Sequence, residues 1–245
     1  MKQPIIELSR KRLLSGIPTI IGVLSSYISD EDLKKKIRQG ISVFEFRYDL
    51  FAPGYDEALK WLVHSIRNFN LPVLGTLREH GISSEKRILL FEKLMDICDA
   101  VDIEWDCPQC DVLCRKAAEK SCEIIISHHD FSGIPPLRIY KDIFIKAKEC
   151  NASAVKLAVT SAHVSETASF LSFVQQKTQS DNRVIGIVMG PHGLISRHIA
   201  PLFGSLCSYG SITGAVVPGQ PDTEELHALF KKYFPAYSDR SKGKT

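Results

Sequence analysis

The chain has 245 residues, 44% of them hydrophobic and 24% charged, with a formal net charge of +3. That composition is ordinary for a folded protein, and a weak, evenly spread positive charge argues against a nucleic-acid surface. Seven cysteines, an odd number in a chain without an evident secretory signal, point to reduced thiols and a cytoplasmic location. Arg10-Lys11-Arg12 precede an apolar stretch from Leu13 to Ile28. Gly16, Pro18 and several serines break that stretch, so it reads neither as a signal peptide nor as a membrane span. Residues 1–18 are therefore an N-terminal segment, loose over its first dozen residues.

Short apolar runs then alternate with amphipathic stretches. The runs predict strands at Thr19–Leu24, Val43–Arg47, Pro72–Leu77, Ala100–Glu104, Glu123–Ser127, Ala154–Val159, Val184–Met189 and Gly214–Val217. Between and after them, helices are expected at Asp30–Gln39, Tyr55–Phe69, Ser84–Asp96, Asp111–Lys120, Leu137–Cys150, Val164–Lys177, Ile195–Phe203 and Thr223–Tyr233, with Asp30 and Ser84 as N-caps. Strict alternation implies a parallel sheet, and eight units in this length imply a single-domain (β/α)8 TIM barrel over residues 19–237. An open doubly wound sheet is the alternative, but no Gly-x-Gly-x-x-Gly turn follows the first strand. The polar, lysine-rich residues 238–245 read as a tail or the start of a linker.

Lys156 stands out. On the sixth strand it shares a face with only Ala154 and Ala158, while Val155, Leu157 and Val159 form the other. A desolvated ammonium is expensive, so either the lysine snorkels to water or its amine serves as a nucleophile towards a carbonyl. Other polar residues gather at strand ends. Glu45 and Arg47 point inward on the second strand, opposite Phe44, Phe46 and Tyr48. Arg78, Glu79 and His80 end the third strand, Asp102 and Glu104 share a face of the fourth, and His128-His129-Asp130 end the fifth. Met189 and Arg197 follow the seventh, and Gln220 the eighth. In a barrel these positions converge on the active-site rim. An inward lysine among arginines suits Schiff-base chemistry on a ketone, a histidine of near-neutral pKa suits proton transfer, and arginines suit a carboxylate. Cys107-x-x-Cys110-x-x-x-Cys114 is not a standard zinc spacing and no second Cys or His pair follows suitably, so no metal and no cofactor are expected.

Several motifs resemble those of type I 3-dehydroquinate dehydratases, in order and over nearly the whole chain. They are Glu45-Phe46-Arg47-Tyr48-Asp49, Ser127-His128-His129-Asp130-Phe131, Lys156, Met189-Gly190 with Gly193 and Ser196-Arg197, Tyr209-Gly210, and Pro218-Gly219-Gln220. The resemblance implies that Lys156 forms an imine with 3-dehydroquinate and that His129 carries both proton transfers. It implies that Arg197 binds the carboxylate and that Glu45, Arg47 and Arg78 position ring hydroxyls. Gln220 would close from the last loop, with Met189 and Tyr209 walling the pocket and His128 structural. It further implies a place in aromatic amino acid biosynthesis, a homodimer, and in some organisms fusion to shikimate dehydrogenase. Two departures stand against the family pattern. Val216 occupies a position often Ser and expected in the last strand. The third loop is short, leaving Glu79 as the equivalent of a Glu that supports the catalytic histidine. The competing readings are another Schiff-base barrel, such as a class I aldolase, and a non-catalytic sensor that keeps the barrel.

Overall fold

The computed structural model describes residues 2–78 and 81–242. Glu79 and His80 lie outside the described residues. The strands are β1 (Thr19–Leu24), β2 (Ile41–Arg47), β3 (Val73–Thr76), β4 (Ala100–Glu104), β5 (Glu123–Asp130), β6 (Ala154–Thr160), β7 (Val184–Met189) and β8 (Cys207–Ser211). The helices are α1 (Ile5–Leu14), α2 (Asp30–Arg38), α3 (Tyr55–His64), α4 (Ser84–Ile97), α5 (Cys110–Glu119), α6 (Leu137–Glu149), α7 (Val164–Gln179), α8 (Ser196–Ile199), α9 (Thr223–Tyr233) and α10 (Pro235–Lys242). Short 3-10 turns continue α3 and α8. Among the described residues no helix is long and apolar enough to cross a membrane.

All eight strands are parallel, in the order β7-β6-β5-β4-β3-β2-β1-β8. The Leu206 N–H donates to the Val184 carbonyl at 3.0 Å and brings the two ends together. The sheet is thus a nearly closed (β/α)8 barrel. Outward residues such as Phe44, Phe46, Leu157 and Val188 are fully buried beneath the helices. That burial on both faces is why the strands read as continuous apolar runs.

The inward residues change character along each strand. β2 climbs from Val43 to Glu45 to Arg47, β4 from Ala100 to Asp102 to Glu104, and β5 from Ile125 to Ser127 to His129. The barrel is therefore dry at its N-terminal end, where Val43, Leu74, Ala100, Ile125, Ala154 and Ile185 pack together, and charged at its C-terminal end. Ile5 and Ile6 of α1 join that dry cluster and plug the bottom. Residues 1–12, expected to be loose, thus include a docked helix. α10 likewise carries the chain to Lys242, with Tyr237 buried against α9.

Two sequence expectations need correction. The N-caps are Ser29 and Ser83, one residue before Asp30 and Ser84. Each Ser side chain accepts from a backbone N–H three residues on, Asp32 and Lys86, and each has the extended backbone that a cap requires. The eighth strand is Cys207–Ser211, not Gly214–Val217. The branched pair Val216-Val217 mimicked a strand, whereas the true strand has small residues for a packing reason. A Cβ at Gly210 would stand 3.0 Å from Thr223 Cα, so the glycine lets α9 lie close against β8. Val216 accordingly lies in the loop after the last strand. That loop arches over the mouth, and the Val216 N–H donates to Gln220 Oε1 at 2.8 Å.

Candidate active site

The charged end of the barrel holds a cavity of about 280 Å3, lined by Glu45, Arg47, Arg78, His129, Lys156, Met189, Arg197, Tyr209 and Gln220 among others. It sits at the small end of the range for small-molecule sites. Every site residue expected from sequence, apart from Glu79 outside the described residues, lines this one pocket.

Lys156 is 5% exposed. Its Nζ donates to Asp102 Oδ2 at 2.9 Å, lies 3.7 Å from Glu45 Oε1 and sits 4.4 Å from the centre of the Tyr209 ring. Nζ therefore rests against two carboxylates as well as near arginines, an arrangement the sequence reading did not foresee. Register pairs Lys156 with Ser127 of β5 and His129 with Ala158 of β6, so the imidazole stands one inward step above the lysine, towards the mouth.

Burial, with Arg78 and Lys156 beside it, holds the His129 imidazole well below the ordinary histidine value. It is neutral at neutral pH and free to take a proton. Among the described residues its buried Nδ1 has no partner, and its Nε2 faces Arg78 Nη2 at 3.4 Å. His128 points the other way. Its Nδ1 accepts from the Trp105 indole at 2.9 Å, outside the pocket.

Asp102, on the fourth strand, is the residue that sequence reasoning left without a role. Its carboxylate accepts from Lys156, from Arg78 at 2.8 Å and from Ser127 at 2.5 Å. Burial pushes its pKa up, but Arg78, Lys156 and His129 outweigh that and hold it far below the usual carboxylate range. Burial likewise opposes the charge on Arg78, and Asp102 with Glu104 overrides it. The one signal in the sequence was the pair of acids on one inward face.

Glu45 accepts from Thr76 Oγ1 at 2.9 Å, and Arg47 forms a two-pronged bond to Asp49 at 3.0 and 2.6 Å. These bonds fix two polar groups at the rim. Arg197 differs. It is 5% exposed, and among the described residues its buried Nε has no partner and no carboxylate lies within salt-bridge distance. Burial alone lowers its pKa. The chain delivers it through Ser196, whose Oγ accepts from the Val188 N–H at 2.9 Å and donates to the Val188 carbonyl at 3.2 Å. Gly193 makes that turn, since a Cβ there would come within 2.6 Å of the Met189 carbonyl. The Tyr209 hydroxyl is also buried and has no partner among the described residues. Buried polar atoms normally find partners. Arg197 Nε and the Tyr209 hydroxyl, both unmet among the described residues, describe a surface shaped for a polar, anionic guest.

The model of the family described as type I 3-dehydroquinase matches residues 23–234. The chain belongs to the type I 3-dehydroquinase family. A 3-dehydroquinate dehydratase of Methanothrix thermoacetophila is 34% identical over 232 residues, covering 92% of this chain and 96% of its own. That of Methanococcoides burtonii is 33% identical over 211 residues, covering 81% and 89%. Among solved structures, the 3-dehydroquinate dehydratase of Aquifex aeolicus aligns with a TM-score of 0.75 at 29% identity, over 88% of this chain and 99% of that one. The dehydroquinate dehydratase and shikimate dehydrogenase of S. pombe shares the fold, with a TM-score of 0.70 at 20% identity, and this chain aligns with 44% of it. The motifs that carry the resemblance in sequence fall on the inward strand positions and loops that build this pocket.

Proposed function

We propose that the chain catalyses the dehydration of 3-dehydroquinate to 3-dehydroshikimate through a covalent imine on Lys156. The observation that carries this reading is the buried Lys156 amine in a pocket that also presents a neutral imidazole and a guanidinium with no carboxylate partner among the described residues. The Lys156 ammonium gives up a proton and its amine attacks the C3 ketone; that proton and a second one from the nitrogen then leave with the ketone oxygen as water, and an iminium remains. His129 takes the C2 proton, and the electron pair flows into the iminium to give an enamine. Its return expels the C1 hydroxyl, which leaves as water with the proton that His129 gives back. Hydrolysis of the imine frees Lys156 and the product, so the net change is the loss of one water.

Arg197 holds the C1 carboxylate with a planar fork. Glu45, Arg47 and Arg78 align the ring hydroxyls, Met189 and Tyr209 press on the ring, and Gln220 closes from the last loop. Glu79 completes the set as support for His129. The seven cysteines are free, which agrees with a cytoplasmic biosynthetic enzyme, and a homodimer is the assembly that accords with the family.

The test is borohydride reduction in the presence of 3-dehydroquinate, followed by peptide mass mapping. A reduced adduct on Lys156, absent from Lys156→Ala, is the expected result. An adduct on another lysine, or none alongside measurable turnover, overturns the assignment.

A further inference from the structure

Three of the seven cysteines meet outside the pocket, and a fourth lies beside one of them. Cys110 and Cys114 lie one turn apart on α5 and share a helix face. Cys150, the C-cap residue of α6, brings a third thiol to them, and the three sulfurs all lie within 4.8 Å of one another. The Cys107 thiol lies against that of Cys110, in the turn where the Cys110 N–H donates to the Cys107 carbonyl at 3.0 Å. All four residues are buried. In sequence, the first three lack a fourth ligand; the fold supplies it from the neighbouring helix.

We propose that Cys107, Cys110, Cys114 and Cys150 form a closed, tetrahedral thiolate site for a soft divalent cation, namely Zn2+. Thiolates select zinc over hard cations, and a site with four protein ligands and no open position is structural. Zn–S bonds of about 2.3 Å place tetrahedral sulfurs about 3.8 Å apart, so the Cys110, Cys114 and Cys150 sulfurs need to draw together by about 1 Å at most, and Cys107, outside that trio, must swing in from beside Cys110. Binding converts four thiols and Zn2+ into a tetrathiolate complex of charge −2 and four released protons. Two cations stand ready to offset that charge, Arg87 beside Cys107 and Lys146 beside Cys110 and Cys150. The bound ion pins α5 to α6 behind the β4 end that carries Glu104.

The experiment adds Co2+, then Zn2+, anaerobically to the chelator-treated, reduced full chain. One equivalent of Co2+ is expected to give the near-ultraviolet thiolate charge-transfer band and the intense visible bands of a tetrahedral site, both erased by one equivalent of Zn2+. Zinc at 100 times its Kd is expected to raise Tm by about 5–10 °C. Cys110→Ser, Cys114→Ser and Cys150→Ser are each expected to abolish the bands, and Cys122→Ser to keep them. Cys107→Ser is expected to weaken them; unchanged bands there overturn the four-thiolate coordination. Should a serine variant fail to fold, alkylation of the wild-type chain decides, with zinc protecting these four cysteines and no others. No thiolate band at stoichiometric cobalt, or equal alkylation with and without zinc, overturns the site.

Discussion

At the scale of single residues, Asp102 ties the site together, because Lys156, Arg78 and Ser127 all donate to it. Asp102→Asn keeps the shape but leaves two buried cations short of a partner. Removing one partner of a buried ion pair costs about 3–5 kcal/mol, so the denaturant midpoint is expected to fall accordingly. An unchanged midpoint would show that Glu45 and Glu104 suffice. His129 gives a pH prediction. Its pKa is depressed in the fold, so the base is neutral above that value and is lost only as pH falls through it. The acid limb of kcat/KM, which reports the free enzyme, is expected to have its midpoint below 6.5, and His129→Ala is expected to lose about 10²–10⁴ in rate. A midpoint at or above 6.5 would contradict the burial. The same depression means that the unfolded chain binds this proton more readily. This residue therefore adds stability as pH rises from its folded pKa to about 6.5 and nothing further above it. Arg197→Lys keeps the charge and loses the fork. It is expected to weaken substrate binding roughly ten- to a hundred-fold, readable by calorimetry of a substrate analogue. Lys156 was legible in sequence because its strand neighbours are small and apolar. Asp102 was not, because its donors come from the segment after β3, from β5 and from β6, and only closure of the barrel brings them together.

At the scale of elements, the strand that escaped the sequence reading is the one whose residues are chosen for closeness. Cys207-Ser208-Tyr209-Gly210-Ser211 lacks branched side chains because α9 packs on Gly210, so its pattern carries no β signal. The strands bearing Lys156 and Glu45 were legible because helices cover their outer faces and demand Phe, Val and Leu at alternate positions. The segment mistaken for the strand has a different use. Val216, Val217 and Gln220 line the pocket, and Gln220 spends its side-chain carbonyl on the Val216 N–H of its own loop. With Oε1 held in this way the Gln220 amide N–H groups face outward to donate, and under the proposed function the loop is expected to tighten when the site fills. Limited proteolysis is expected to cut residues 216–222 in the free protein and to spare them with substrate bound. Equal cleavage in both states would mean a fixed rim.

At the scale of the whole molecule, the two ends of the barrel have separate duties, and a substitution can act on one without the other. The C-terminal end holds the charges. The N-terminal end holds the apolar cluster that α1 completes, with Ile5 and Ile6 each 1% exposed. Polar bonds seat that helix as well: the Gln3 N–H donates to Asp99 Oδ1 at 2.7 Å and the Ile6 N–H to Glu123 Oε2 at 3.1 Å. Sequence alone did not reveal this plug, because a basic Arg-Lys-Arg run and a short amphipathic stretch look like a free end until a dry barrel mouth is available to receive them. Ile6→Ala leaves a cavity there and removes the packing of a buried branched side chain, a change that typically costs about 2–5 kcal/mol. The pocket lies at the opposite end of the strands, with the first inward layer between them. The expected outcome is therefore a lowered denaturant midpoint with kcat and KM of the folded fraction unaltered. A loss of kcat matching the loss of stability would mean that the plug sets the height of Lys156, and the two ends would then have to be treated as one mechanical unit.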